Sequence, residues 1–275
     1  LAAMIATFAL IGSVPYIALQ LKAISMGFNV LSETGPGIHM GSSAPWADSA
    51  WYITLALAVF TVLFGTRHLE STEHHRGMIQ AVAFESLIKL VAFVAVGLFV
   101  IYGLYGGFGD LWGNVRSAGL VGTLTTDSVE APAFITQTLV AMLAIICLPR
   151  QFHVMVVENT DHRDFETARW AMPIYLIIAS AFVLPIAAAG LLSPEASASD
   201  PDILILNLPI LAGEQWLAIL AFLGGGSAAA AMVIVCSVAI ATMVSNEIIM
   251  PALLKFFTQE FGGILVSDFW GAYNA

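Results

Sequence analysis

The chain has 275 residues, of which 59% are hydrophobic and only 10% charged, where soluble domains carry roughly 45–50% and 25%. So few polar side chains cannot make a wettable surface, which excludes a soluble globule and calls for an apolar surrounding such as the lipid bilayer. A net charge of −10 with nine scattered Lys and Arg excludes nucleic acid as a partner, and Cys147 and Cys236 sit in apolar runs with neither disulfide nor zinc spacing.

Six long apolar stretches predict an all-α, integral-membrane helical bundle of about six transmembrane helices: residues 1–24, 51–66, 78–105, 131–148, 170–192 and 216–249. In the first, Tyr16 and Gln20 lie four apart beside Pro15 and offer hydrogen-bonding groups on one helix face, either to a solute or as interhelical glue. The second is the shortest and opens on Trp51 and Tyr52, ring types suited to a headgroup boundary. The loop that follows holds His68, His74 and His75 beside Glu70 and Glu73. Adjacent histidines do not share a helix face, so a solvated turn is expected there rather than a metal site.

In the third stretch Glu85 precedes Lys89 by one helical turn, the favourable order for an ion pair. In hydrocarbon such a pair is either structural or part of a solute or proton path. The fourth stretch meets Pro149, after which Arg150, Gln151, Phe152 and His153 lead back into apolar residues 154–157. Two readings stand: a discontinuous helix whose freed carbonyls and polar side chains meet a solute, or a helix that simply stops at the membrane surface. Residues 193–201, rich in Ser, Pro and Asp, read as a plain connection. The sixth stretch contains Gly224, Gly225, Gly226 and Ser227, which permit either a break or a close helix contact, and Ser227, Ser237, Thr242 and Ser245 as small interface residues or cation-binding oxygens.

Lys and Arg alternate between loops. Arg67, Arg76, Arg150, Arg163, Arg169 and Lys255 fall on one side and only Lys22 and Arg116 on the other. Cytoplasmic loops carry the excess, so the residues before the first helix are expected inside and the acidic loops outside, in a bacterial inner (plasma) membrane. No phosphate-binding loop, zincin motif or nucleophile elbow occurs, so no catalytic or metal-ligating residue is assigned and an enzyme is not expected. Leu1 opens inside an apolar run without the marks of a signal peptide, which predicts a fragment whose upstream helices are missing.

Three segments carry a family resemblance: residues 14–22 (VPYIALQLK), residues 64–69 (FGTRHL) running on to 83–90 (AFESLIKL), and residues 147–161 (CLPRQFHVMVVENTD). They resemble the sodium/solute symporter family, and most of all its branch fused to bacterial sensor histidine kinases. The likeness covers residues 1–257. Plain symporters carry Gln-Pro-His where this chain has Gln151, Phe152 and His153. The resemblance implies a partial LeuT-type inverted-repeat core, with the six helices as core helices three to eight and the fourth as the broken helix of the second repeat. It also implies a small solute such as an amino acid, met by Tyr16, Gln20, Gln151 and His153, and kinase domains as possible partners in a longer protein.

By the same resemblance Ala228, Ala231 and Met232 fall at sodium-coordinating positions, where they ligate a hard cation poorly. That places Na+ in doubt as coupling ion and leaves H+, with Glu85 or His153 to handle the proton. No other cofactor is implied. The alternative is an ordinary sodium- or proton-coupled symporter with no signalling role. Residues 258–275 depart from the family, and 262–275 (GGILVSDFWGAYNA) resemble the strand around a catalytic aspartate of insertion-sequence transposases, with Asp268 at the acidic position.

Overall fold

The described part of each of the six apolar stretches is mainly helical in the computed structural model, which describes residues 2–33, 49–64, 76–124, 131–157, 162–197 and 200–261. In chain order the helices are α1 (Ala2–Glu33), α2 (Ser49–Phe64), α3 (Arg76–Phe99), α4 (Phe108–Ser117), α5 (Val121–Leu124), α6 (Ala131–Cys147), α7 (Pro149–Phe152), α8 (His162–Leu192), α9 (Pro194–Ser197), α10 (Leu204–Leu211), α11 (Gln215–Val244) and α12 (Met250–Phe261). Single π-helical turns follow α3, α7 and α11. The described residues contain no strand. The molecule is an all-α membrane helical bundle.

Among the described residues four helical spans are long and apolar enough to cross a bilayer, Ala2–Ser32, Gln80–Leu104, Arg163–Leu192 and Gln215–Phe256, and the bent pair Pro132–Ala144 and Pro149–Val156 counts as a fifth when taken as one broken span. The expected six is therefore four to five among the described residues. The difference lies in α2, whose 16 residues reach about 24 Å at 1.5 Å per residue, short of a hydrocarbon core of about 30 Å.

Helix α11 is the axis of the bundle, with α1 and α3 packed along it. It runs antiparallel to α1, since Tyr16 meets Met232 at one end and Gly27 faces Phe222 at the other. The glycine run does not break α11. A Cβ on Gly224 would lie 2.7 Å from Ala92 Cβ and 3.3 Å from Lys89 Cα, so the missing side chain lets α11 close on α3. Gly97 does the same for α3 against Phe182 of α8, where a Cβ would come within 2.3 Å of the ring.

The tightest packing lies at the end of the bundle where α3 finishes and α11 begins. Val96, Val100, Leu111, Val115, Ala188, Ala196, Leu206 and Ala221 form one buried cluster drawn from α3, α4, α8, α9, α10 and α11. The segment read as a plain connection is thus structured: Pro194–Ser197 is helical, Pro201–Ile203 is a 3-10 turn, and Ala196 is wholly buried. Asp200 starts that turn, its carboxylate accepting from the Asp202 amide at 3.1 Å. At the same end Tyr105 packs against the cluster, and its phenol is pushed to higher pKa by burial and then by the Asp110 carboxylate. By contrast, α6 is exposed along the described part of its length, and the outward faces of α1 and α8 carry Ile11, Trp170 and Ile177, as lipid contact requires.

Candidate functional site

Pro149 determines the local geometry of the candidate site. It has no N–H to give the carbonyl four residues back, and its ring drives the preceding residue out of the helical region. Leu148 accordingly sits at φ −71°, ψ 125°, an extended link, and Pro149 becomes the first residue of the new helix α7. The helix bends by 43° there and goes on through a π-helical turn, His153–Val157. The chain thus stays helical past Pro149 after a bend.

The break opens on a cavity of about 490 Å³ between α1, the α6–α7 link and α11. Helix α1 lines it with Ile5, Phe8, Ala9, Gly12, Ser13 and Tyr16, a set at spacings of three and four that forms one helical face. The link contributes Cys147, Leu148, Pro149 and Arg150, and α11 contributes Cys236. The wall is mostly apolar with a few convergent polar groups, the usual character of a small-molecule site.

Those polar groups form a relay across three helices. Arg150 donates from a guanidinium NH to the Tyr16 hydroxyl, and its Cζ lies 5.0 Å from the Tyr16 ring centroid, within cation–π range. The Tyr16 hydroxyl donates in turn to Met232 Sδ at 2.9 Å. One turn before Tyr16, Ser13 is buried, as is Cys236 of α11, and both line the cavity.

Of the residues expected at a solute site, Tyr16 lines the cavity and Gln20 continues its helical face one turn beyond the lining. Gln151 and His153 are half-buried just past the break, outside the lining, with His153 Nε2 enclosed by protein. At the positions matched to a cation site, Ala228 is buried, Ala231 is half-buried and Met232 accepts from Tyr16 through sulfur, so none of the three presents a side-chain oxygen. Thr242 donates to Val238 O at 2.8 Å and Ala239 O at 2.9 Å, and Ser227 to Gly224 O at 3.4 Å, all within their own helix.

Glu85 and Lys89 are half-buried one turn apart on α3, interact electrostatically and stand away from the cavity lining. Tyr175 of α8 donates to the neighbouring Ser86 carbonyl at 3.3 Å. His68, His74, His75 and the 262–275 tail lie outside the described residues, among which no three His, Cys, Asp or Glu gather to hold a metal ion. Arg150, Ser13, Cys147 and Cys236 were not singled out as site residues from the sequence. The signal for Arg150 was its place directly after Leu-Pro, and for Ser13 its spacing of three from Tyr16.

Over 206 residues the chain is 26% identical to an uncharacterized symporter of Bacillus subtilis (strain 168), YhjB, a match covering 74% of this chain and 38% of that protein. The chain thus spans well under half the length of this relative. It is a transporter-like, multi-pass membrane protein. No family model and no solved structure matches it. The sequence resemblance to symporters therefore has support at the level of a transporter-like membrane protein.

Proposed function

We propose that this chain is a solute-binding part of a membrane transporter of the sodium/solute symporter kind, taking a small organic solute in the cavity beside the broken helix. The observation that carries this reading is the break at Leu148–Pro149 opening onto a cavity shared by α1 and α11, since discontinuous helices form solute sites in secondary transporters. The likeness to a symporter supports it. Gly12 provides the test. A Cβ there meets nothing within 4 Å and Gly12 lines the cavity, so Gly12→Phe fills the space without touching the backbone packing. In a thermal-shift screen of amino acids and other small organic solutes on the protein in nanodiscs, at least one solute is expected to stabilise the wild type and to lose its effect in Gly12→Phe. Equal stabilisation of both proteins, or of neither, overturns the reading.

Coupling to sodium at Ala228, Ala231 and Met232 has no side-chain oxygen to rest on. Replacing sodium chloride with potassium chloride is expected to leave solute binding unchanged, and a tenfold loss would show a sodium site elsewhere. The resemblance to the kinase-linked branch extends the proposal to the input half of a sensor histidine kinase in the bacterial inner membrane. A solute-dependent change in autophosphorylation of a longer protein containing this chain is its expected outcome. Uptake with no such change selects the alternative, an ordinary cation-coupled symporter.

A further inference from the structure

We infer that the cavity selects a carboxylate with an aliphatic body and no ammonium group, and that Arg150 is the residue that binds the carboxylate. This rests on the solute-site reading above and narrows the solute class. Arg150 is the one charged residue in the lining, which contains no Asp or Glu. Among the described residues its hydrogen bond and ring contact are both made with Tyr16, which is not an anion. A guanidinium carries five N–H donors in a planar fork, so one bond to Tyr16 leaves donors for a carboxylate. The Tyr16 contact fixes the fork in place, which lowers the entropy cost of binding.

The rest of the wall selects by what it omits. Ile5, Phe8 and Leu148 offer apolar surface to a hydrocarbon tail. An α-ammonium on the solute would enter the same space without a carboxylate to pair with, and burying an unpaired charge is costly. The charge balance thus separates a simple aliphatic acid from an amino acid with the same carbon skeleton. A fatty-acid-like small molecule and an anionic lipid headgroup share the features of an anion joined to an apolar tail, and we assign the site to the soluble acid.

The test compares hexanoate, hexanamide, norleucine and hexylamine by calorimetric titration into the protein in phosphatidylcholine nanodiscs. Hexanoate is expected to bind at least tenfold more tightly than each of the others. Arg150→Gln is expected to remove that margin, so that hexanoate binds the variant no more tightly than hexanamide does, and Gly12→Phe to remove binding of both. The comparison among ligands on the wild type needs no variant to fold. Hexanoate and hexanamide binding equally well, with both lost in Gly12→Phe, would overturn the anion preference and leave the solute site intact. Norleucine matching hexanoate would overturn the exclusion of ammonium. Stabilisation by phosphatidylglycerol nanodiscs that depends on Arg150, with no hexanoate binding, would overturn the assignment in favour of a lipid headgroup.

Discussion

The hydroxyl of Tyr16 accepts from Arg150 on one side and donates to Met232 on the other, so a single oxygen ties together three helices. Hydrogen bonds between membrane helices contribute on average about 0.6 kcal/mol and at most about 2. Tyr16→Phe deletes both bonds and keeps the ring, and is expected to cost about 0.5–2 kcal/mol, measured by reversible unfolding in mixed micelles. Met232→Leu preserves volume and loses only the sulfur acceptor, so its cost should be the smaller of the two. Tyr16 could be read from the sequence because a polar ring beside Pro15 is conspicuous in an apolar helix. Arg150 was harder to place. A basic residue after a helix end is also what a cytoplasmic surface looks like, and only the fold shows that it faces α1.

At the scale of helices, two devices position the site, and each has a distinct failure. Pro149 is the reason α6 and α7 are not one helix. Pro149→Ala removes the steric bar on Leu148, and the expected result is a straighter helix and a reshaped cavity. The check is maleimide labelling of Cys147, exposed at the break, whose rate should change at least severalfold while Gly12→Phe alters it without restoring helix continuity. The second device is the glycine contact. Gly224→Ala places a Cβ 2.7 Å from that of Ala92, an overlap expected to cost about 1–3 kcal/mol. Adding Ala92→Gly should recover most of that loss, as unfolding of the double variant would show, whereas a helix-propensity effect would be deepened by a second glycine.

The glycine run illustrates what helix patterns leave open. Four small residues announce either a break or a contact. The choice depends on which neighbour approaches, and Ile88 to Ala92 lie more than 130 positions earlier in the chain. The short helices α9 and α10 were missed for a related reason. Their residues, Pro194–Ser197 and Leu204–Leu211, are too few for periodicity to register, and it is burial against α8 and α11 that orders them.

Over the whole molecule the apolar composition was sufficient to indicate a helical membrane protein, and the six stretches mark the main helices to within a few residues at most ends. Among the described residues four to five of the six qualify as full crossings by length and composition, the described part of α2 being 16 residues long. If the positive residues mark the inner side, the buried cluster closes the outer end while the cavity lies in the inner half. That arrangement predicts the labelling pattern of single cysteines in a variant lacking Cys147 and Cys236. Asn114→Cys, in α4, should react with an impermeant maleimide on intact spheroplasts, and Arg163→Cys only after permeabilisation. The reverse pattern would invert the molecule.

Tyr16 and Met232 are separated by 216 residues, and everything between them must be made before they can meet. At a synthesis rate of about 5–20 residues per second that interval is roughly 10–45 s. Throughout it, α1 waits in the membrane with the Ser13 and Tyr16 face lacking the helix that later covers it. Helix α1 is thereby made well before α11, and its polar stripe is held for that later arrival.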